Sequence, residues 1–255
     1  MQDKLPIDHQ FPPLESALVD PNGLLATGGD LSCERLQRAY SLGIFPWFSD
    51  DQPIMWWSPD PRAVMYPDKL HLSKSLKKSM RQKNYQLSVN RDFEQVIYAC
   101  AESRSSNDEQ NLDDTWITSE MIDAYIALHH KQQAHSFEVW DGTELVGGLY
   151  GVAAGQIFSG ESMFHRRTDA SKIAFTLTCM QIQQWGFELL DCQIMNPHLK
   201  SLGVEELPRA NFKQCLPSCA DSAVQTNNLN IWQTTSWQNT RELSNAFTDT
   251  KEGAK

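Results

Sequence analysis

Tryptophan and proline crowd into one stretch near the N-terminus, and this stretch limits the possible folds more than any other. Trp47, Trp56 and Trp57 lie within eleven residues, and four prolines interrupt residues 43–62. Proline is excluded from helix interiors and central strands, so the stretch is expected to be irregular and stiff. Large rings held on such a backbone either pack a core or stack a planar ligand such as a nucleobase.

Length and composition indicate a globular protein. A chain of 255 residues with 40% hydrophobic residues can form one large domain, or a small domain beside a larger one. No apolar run approaches the roughly 18 residues that span a bilayer, and the start does not resemble a secretory signal, so the sequence predicts a cytoplasmic protein without a membrane partner. Cys215 and Cys219 lack a matching histidine pair, so no metal site is predicted.

The charge is unevenly distributed. The net charge is −10, which disfavours binding of polyanions through the average field, yet residues 69–83 contain six Lys or Arg and no acid. The helical spacing i, i+3, i+4, i+7 places four of these cations on one face. That face is either a solvated surface or a stripe that contacts phosphates, and the lack of acids favours the stripe. The four cations are Lys74, Lys77, Lys78 and Arg81.

Three segments follow from the pattern along the chain. Residues 1–62 predict a small N-terminal domain, and residues 63–217 a larger α+β domain. In the tail, 218–255, Ser, Thr, Asn and Gln make up 18 of the 33 residues from 218 to 250, which is typical of a flexible segment without its own core. The polar stretch 102–114 predicts a flexible loop.

The larger domain reads as a β-meander between helices. Asp141-Gly142 predicts the first hairpin turn. Ser32 or Asp30 predicts one helix start, and Thr118 another. The predicted helices cover 33–41, the basic stretch within 69–83, 93–100, 121–131 and 172–185. The predicted strands are one that follows residue 63, before the basic helix, and those at 86–89, 136–140, 144–152, 156–159 and 187–194.

Three polar side chains in apolar surroundings are candidates for chemistry. Asp191 and Gln193 share one face of a predicted buried strand, and Glu161 follows Gly160 at the end of the meander. A buried aspartate needs a partner, so Asp191 is either structural, bonded to backbone amides or a lysine, or aimed with Gln193 at a cation or an amine. Glu161 is either a surface or capping residue or part of the same site. No phosphate loop or dinucleotide motif is present, so no cofactor is predicted.

Eight motifs follow one another in a fixed order along the chain. They are Asn22-Gly-Leu-Leu-Ala-Thr-Gly-Gly-Asp-Leu31, Gly43-Ile-Phe-Pro-Trp-Phe48, Trp56-Trp-Ser-Pro-Asp-Pro-Arg-Ala-Val64, His135-Ser136, Glu144-Leu-Val-Gly-Gly-Leu-Tyr-Gly-Val152, Ser159-Gly-Glu-Ser-Met-Phe164, Ala170-Ser-Lys172 and Asp191-Cys-Gln193. Together they resemble the leucyl/phenylalanyl-tRNA–protein transferase family, and the resemblance runs from about residue 11 to 212.

The resemblance implies a fold, a reaction and partners. The implied fold is α+β: a small N-terminal α/β domain and a C-terminal acetyltransferase-like (GNAT-like) domain with a mixed, mainly antiparallel sheet. The implied reaction moves Leu or Phe, with Met as a third candidate, from aminoacyl-tRNA to proteins that begin with Arg or Lys, and marks them for N-degron degradation. Metal, coenzyme A and other cofactors are not implied, and neither DNA nor a membrane is an implied partner.

The resemblance also assigns roles to residues. Trp47 and Trp116 would hold the 3′ adenosine, and the basic stripe would contact the tRNA backbone. We hypothesise that Gln193 accepts a hydrogen bond from the attacking amine, that Asp191 polarises and orients this contact, and that Glu161 attracts the cationic N-terminal residue. The residues expected to line the pocket for the Leu or Phe side chain are Leu149, Phe158 and Met163.

Two other classes remain as alternatives. A coenzyme A-dependent acyltransferase would need a glycine-rich turn at a helix start to hold the diphosphate, and the helix that begins near Asp169 has none. A noncatalytic RNA-binding module would use the tryptophans and the basic stripe, but would leave Asp191 and Gln193 without a role.

Overall fold

The computed structural model describes residues 10–105, 117–216, 231–233 and 235–252. Trp116, most of the predicted 102–114 loop and the first part of the tail lie outside these residues. The strands are β1 (Leu24–Thr27), β2 (Phe45–Pro46), β3 (Met55–Trp57), β4 (Arg62–Met65), β5 (Gln86–Val89), β6 (Ala134–Asp141), β7 (Glu144–Ala154), β8 (Ile157–His165), β9 (Leu189–Gln193) and β10 (Glu205–Leu207). The helices are α1 (Cys33–Ser41), α2 (Lys74–Lys83), α3 (Phe93–Ser105), α4 (Ser119–His130), α5 (Ala170–Gln184), α6 (Pro197–Ser201), α7 (Arg209–Cys215) and α8 (Thr240–Glu252).

The strands form two sheets. The N-terminal region contributes a three-stranded sheet with the order β1-β3-β2. The larger sheet has seven strands in the order β10-β4-β9-β8-β7-β6-β5, and its pairs are antiparallel except for the parallel pair β8 and β9. The expectation of an α+β protein with a mixed, mainly antiparallel sheet is confirmed.

The parallel strands β8 and β9 separate partway along their length. They pair only from Ile157–Leu189 to Ser159–Asp191. Beyond that point β8 continues to His165 beside β7, while Gln193 at the end of β9 pairs with Ala63 of β4. The separation opens a wedge in the sheet beside residues 160–163 of β8.

Local signals explain where most helices begin. Ser32 accepts from the backbone N–H of Arg35 at the start of α1, and Thr118 accepts from that of Met121 at the start of α4. The prediction for β8 was too short, because residues 160–165 lack a clear apolar alternation and are held by pairing with β7. The prediction for α3 was also short: the helix runs on to Ser105, since continuing a helix through polar residues adds a backbone hydrogen bond per residue.

The tryptophan–proline stretch packs a core with two of its indoles and leaves the third exposed, so the stacking of a planar ligand stays a prediction for Trp47 alone. Trp56 is fully buried and donates Nε1–H to the carbonyl oxygen of Gly28 at 2.9 Å. Trp57 is also buried and donates to the carbonyl oxygen of Trp47 at 2.6 Å. Trp47 itself keeps 39% of its surface exposed. Two indoles therefore belong to the core, and one of them, Trp57, contacts the exposed indole of Trp47.

The described part of the tail packs against the seven-stranded sheet and the helices α2 and α5. Its buried apolar residues join the cluster formed by α2, α5 and the large sheet rather than a separate core. None of the helices in the described ranges combines the length and apolar character needed to cross a membrane. The buried tail residues are Trp232, Trp237, Leu243 and Phe247.

Candidate active site

A cavity of about 270 Å³ lies in the wedge between β8 and β9. The N-terminal region closes one side, β7 and α5 contribute apolar side chains, and the chain after β9 forms the remaining wall. A cleft between two structural units is a common place for a ligand site. The lining residues are Phe45, Pro46, Trp47, Leu149, Gly160, Glu161, Ser162, Met163, Phe175, Leu190, Cys192, Gln193, Ile194, Met195, Asn196 and Leu199.

Gln193 is held in an unusual backbone conformation at the end of β9. Its φ is +63°, in the left-handed region that residues other than glycine adopt infrequently. Its backbone N–H donates to Oδ1 of Asp191 at 2.9 Å, and its side-chain Nε2 donates to Oε1 of Glu161 at 2.7 Å. These two bonds fix both the backbone and the amide, and they leave the amide oxygen available as an acceptor in the cavity.

Asp191 lies behind the cavity lining and is almost completely buried. Nε and Nη2 of Arg62 donate to its two oxygens, each at 2.7 Å, and Oγ of Ser159 donates at 3.2 Å. The Arg62 guanidinium lies over the rings of Phe45, at 4.7 Å, and Phe212, at 4.9 Å. The partners of Asp191 are therefore an arginine, the Ser159 hydroxyl and the backbone amide of Gln193. The structural alternative had named a backbone amide, and an arginine stands where it had named a lysine.

Glu161 is the buried carboxyl group that faces the cavity. The Tyr125 hydroxyl donates to its Oε2 at 3.0 Å, and the hydroxyls of Tyr40 and Tyr125 are hydrogen-bonded to each other. The pKa of Glu161 is raised from 4.5 to about 7, mainly by burial and also by the nearby Asp191 charge, while the hydrogen bonds from Tyr40 and Tyr125 and the Arg62 charge lower it in part. Near neutral pH this group is therefore divided between its charged and neutral forms.

The charges of the site separate into two layers. Arg62 neutralises Asp191 within a bidentate ion pair, so the negative charge that the cavity meets comes from Glu161. Cys192 lines the cavity, but burial raises the pKa of its thiol well above the ordinary value and keeps it uncharged. Among the described residues, no group of three or more His, Cys, Asp or Glu side chains is placed to hold a metal ion.

The structure brings five of the predicted site residues to this one cavity. Leu149 of β7 and Met163 of β8 are direct cross-strand neighbours, and both line it. Phe158 lies outside the lining, fully buried against Phe137 and Trp232. The five lining residues are Trp47, Leu149, Glu161, Met163 and Gln193.

The basic stripe is present on α2, and its members differ in exposure. Lys74, Lys78 and Arg81 are exposed, while Lys77 is half-buried, with its Nζ 4.9 Å from the ring centre of Phe247 in α8. The spacing argument for one helical face is confirmed, because Leu76 and Met80 occupy the buried face of the same helix. A phosphate-contacting role remains a prediction.

Three residues of the site escaped the sequence analysis. Arg62 is the last residue of the tryptophan–proline stretch, 43–62, and it was not assigned a role. A buried aspartate needs a partner, and this need of Asp191 could have pointed to Arg62. Tyr40 lies on α1 and Tyr125 on α4, and both are fully buried at Glu161. Nothing in their local sequence distinguishes them from ordinary core tyrosines.

An apolar pocket that opens on one side to an exposed indole and on the other to an amide–carboxylate pair suits an enzyme that brings an acyl donor to an amine. Comparison with known proteins gives the particular family. Residues 29–60 match its N-terminal domain, described as "Leucyl/phenylalanyl-tRNA protein transferase N-terminal domain", and residues 64–217 match "Leucyl/phenylalanyl-tRNA protein transferase". The chain belongs to the leucyl/phenylalanyl-tRNA protein transferase family, and it is therefore an aminoacyltransferase with an aminoacyl-tRNA donor and a protein acceptor.

Curated relatives support this assignment. A leucyl/phenylalanyl-tRNA–protein transferase of Pseudomonas fluorescens (strain SBW25) is 56% identical over 202 residues, which cover 79% of this chain and 87% of the relative. One from Stutzerimonas stutzeri (strain A1501) is 52% identical over 220 residues, covering 84% and 95%. A solved structure described as "The structure of L-PGS from Bacillus licheniformis" is 10% identical, covers 65% of this chain and 52% of that chain, and has a TM-score of 0.39, which is too low to support an argument.

Proposed function

We propose that this enzyme moves Leu or Phe, with Met as a third donor, to the α-amine of proteins that begin with Arg or Lys. The modification marks those proteins for N-degron degradation in the cytoplasm. The observation that most supports this proposal is a single cavity lined by the exposed Trp47 indole, by apolar side chains and by the hydrogen-bonded pair of Gln193 and Glu161.

The apolar part of the cavity suits the donor's side chain. Leu149, Met163 and Phe175 line it, and Trp47 offers an exposed ring on which the terminal adenosine stacks. One methylene in such a pocket changes discrimination by only about 1–3 kcal/mol, so a single pocket accepts both Leu and Phe. Trp116 is assigned to the same adenosine, but it lies outside the described residues, and Phe158 supports the pocket from behind.

The polar part of the cavity suits the acceptor amine. Because Nε2 of Gln193 is committed to Glu161, its amide oxygen is left to accept a hydrogen bond from the α-amine. The amine nitrogen attacks the ester carbonyl carbon, the carbonyl–oxygen bond to the ribose breaks, and the tRNA leaves with its hydroxyl restored while the amine loses a proton. Positioning of the two reactants can lower the activation barrier by about 7–11 kcal/mol. General-base help accelerates the reaction by only ~10²–10⁴-fold, which corresponds to a smaller reduction of the barrier.

The two acids have different roles in this proposal. Asp191 acts through the backbone: it holds the Gln193 amide N–H and thereby orients the side chain that meets the amine. Ionised Glu161 attracts the cationic acceptor residue and fixes the Gln193 amide. Arg62 is a positioning residue, because it holds Asp191 by two hydrogen bonds without lining the cavity.

The proposal includes a GNAT-like layout for the larger domain and a tRNA-backbone role for α2. The layout is supported by a single parallel strand pair that separates around the cavity within a mainly antiparallel sheet. The role of α2 is supported by the exposed cations Lys74, Lys78 and Arg81 on one face. Lys77 is assigned to the same role, although it is partly covered by Phe247.

A transfer assay tests the proposal. Purified protein is mixed with tRNA carrying labelled leucine and with a peptide that begins with Arg, and a peptide of the same sequence that begins with acetylated Arg serves as control. We expect label to move only to the free amine, and ribonuclease to abolish the transfer. In a parallel reaction with labelled acetyl-coenzyme A in place of the charged tRNA, label that enters the peptide would favour the coenzyme A-dependent class. Binding of tRNA without transfer would favour the noncatalytic class.

Variants separate the assigned roles. Asp191→Ala and Gln193→Ala should lose turnover while tRNA affinity stays nearly unchanged, because neither residue is assigned a tRNA contact. Trp47→Ala should weaken binding of an aminoacyl-adenosine mimic by ~1–3 kcal/mol, the usual worth of one base–aromatic stack. Unchanged affinity in Trp47→Ala, or loss of tRNA binding in either of the other variants, would contradict these roles.

A further inference from the structure

Trp232 anchors the C-terminal segment in a cluster of aromatic side chains. Only 3% of its surface is exposed. Its ring centre lies 4.7 Å from that of Trp185, 5.7 Å from Phe187, 5.9 Å from Phe158 and 6.4 Å from Phe137. The residue lies beyond 64–217, the region matched to the catalytic part of the family, so that match assigns it no role.

The Trp232 ring is also held from a second direction. His135 stacks on it with 3.4 Å between ring centres and 4° between the planes. Burial lowers the pKa of His135 to about 3, so this imidazole is neutral at working pH and the stack carries no titrating charge. The Asn90 amide donates to Nδ1 of His135 at 2.9 Å and to the carbonyl oxygen of Trp232 at 3.1 Å. The indole is thereby fixed in place.

One layer of side chains separates Trp232 from the cavity. Phe137 is the cross-strand neighbour of Leu149, and Phe158 is that of Leu190. Leu149 and Leu190 both line the cavity. Phe137 and Phe158 contact each other edge to face, at 5.5 Å and 89°, so they form a continuous wall between the lining and Trp232. In a close-packed interior, a change of volume behind such a wall moves the wall.

We infer that Trp232 is a positioning residue that sets the depth of the pocket for the donor's side chain. It does so by supporting Phe137 and Phe158, and through them Leu149 and Leu190. The inference rests on the proposed function, because the pocket that it concerns is the one assigned to Leu or Phe. It adds a specificity determinant from the C-terminal segment to a site whose other walls come from residues 45–199.

The test is the ratio of kcat/KM for phenylalanyl-tRNA to that for leucyl-tRNA. A ratio of two donors on the same preparation does not depend on how much of the protein is active. Trp232→Ala removes the support, so the wall recedes and the larger Phe gains over Leu. One methylene in a pocket wall is worth about 10–200-fold, so a change relayed through one layer should be about three- to tenfold. Trp232→Phe, which keeps an aromatic ring, should give a smaller change in the same direction.

Trp237→Ala is the matched control. Trp237 comes from the same segment and is buried in the same cluster, but within the described residues it makes none of the ring contacts given for Trp232. It should lower stability and leave the donor ratio unchanged. If Trp232→Ala does not fold, Trp232→Leu takes its place beside Trp232→Phe.

The outcomes distinguish the two proposals. A wild-type enzyme that moves neither Leu nor Phe ends the proposed function and this inference with it. A wild-type enzyme that moves both, together with Trp232 variants that keep its donor ratio, ends this inference alone. An equal change of ratio in Trp237→Ala would also overturn it, because loosening of the whole segment would then explain the effect.

Discussion

Glu161 joins two parts of the site through its two carboxylate oxygens. One oxygen accepts from Gln193 and the other from Tyr125, and both bonds are made best by the ionised group. Burial favours the neutral form instead, and the pKa of about 7 expresses the balance between these effects. The proposed reaction needs an ionised Glu161 and an unprotonated acceptor α-amine. Because the α-amine has a pKa of about 7.7–8.0, both groups lose their protons as the pH rises through the neutral range.

The titration of Glu161 predicts a pH dependence of stability. Its pKa is 4.5 when exposed and about 7 in the folded protein, so the folded state binds an additional proton between these pH values. That stabilisation is complete below pH 4.5 and is lost as the pH rises through 7. The side chain in Glu161→Gln does not ionise, so between pH 5 and 8 the free energy of unfolding of this variant should fall less than that of the wild type. The difference between the two changes should be up to about 3 kcal/mol. Urea unfolding at the two pH values measures this, and parallel profiles would argue against it.

The ion pair between Arg62 and Asp191 predicts a large effect of breaking it. Both side chains are about 1% exposed, so Arg62→Leu leaves a buried carboxylate without its cation. The cost should be about 3–5 kcal/mol in the free energy of unfolding, and Arg62→Leu combined with Asp191→Leu should recover part of it. Lys69→Met is the control, because it breaks the half-exposed pair with Glu205 and should change stability far less. Equal losses in Arg62→Leu and Lys69→Met would show that burial does not matter here.

At the scale of elements, the sequence predicted what depends on near neighbours. Caps at Ser32 and Thr118, the turn at Asp141-Gly142 and the shared face of Asp191 and Gln193 all follow from residues within a few positions of one another. The shared face of Asp191 and Gln193 is visible in two hydrogen bonds between β8 and β9, Ser159 with Asp191 and Glu161 with Gln193.

The sequence did not predict what depends on distant contacts. Arg62 and Asp191 are 129 positions apart, and their pairing follows from β4 lying next to β9 in the sheet. The separation of β8 from β9, which creates the cavity, likewise depends on which strands pair beyond Ser159. Periodicity indicates which face of a strand is apolar, but it carries no information about the neighbouring strand.

The helix α2 predicts a difference between adjacent lysines. If the exposed face contacts phosphates, Lys78→Gln should weaken tRNA binding and reduce the slope of log affinity against log salt by about 0.7–0.9 per lost contact. Lys77→Gln is the matched control, because Lys77 covers the ring of Phe247 and offers less charge to a ligand, so it should change the slope less. Titrations at several salt concentrations measure both slopes, and equal slopes in the two variants would contradict a stripe centred on the exposed cations.

For the whole molecule, the acidic charge of −10 and a polyanionic donor are compatible only if the attraction is local. The cations that face outward on α2 form such a region, while several exposed cations elsewhere in the described residues are paired with acids, as in Lys131 with Glu34 and Arg167 with Glu144. At an ionic strength near 0.15 M, exposed charges act over about 8 Å, so the remaining acids do not cancel the stripe. These acids instead disfavour binding of the polyanionic donor at other surfaces of the protein.

The C-terminal helix α8 predicts that stability and specificity are separable in this molecule. Leu243 is fully buried in the core cluster that includes residues of α2 and α5, and Leu243→Ala should lower the free energy of unfolding by about 2–5 kcal/mol. Asn245→Ala alters an exposed residue of the same helix and should change it by less than about 0.5 kcal/mol. Helix α8 packs mainly on α2 and not on the strands that carry Phe137 and Phe158, so Leu243→Ala should keep the wild-type preference between Phe and Leu. Urea unfolding and the donor ratio measure the two properties separately. A shifted ratio in Leu243→Ala would mean that the segment acts on the pocket as a unit, and not through the indole of Trp232.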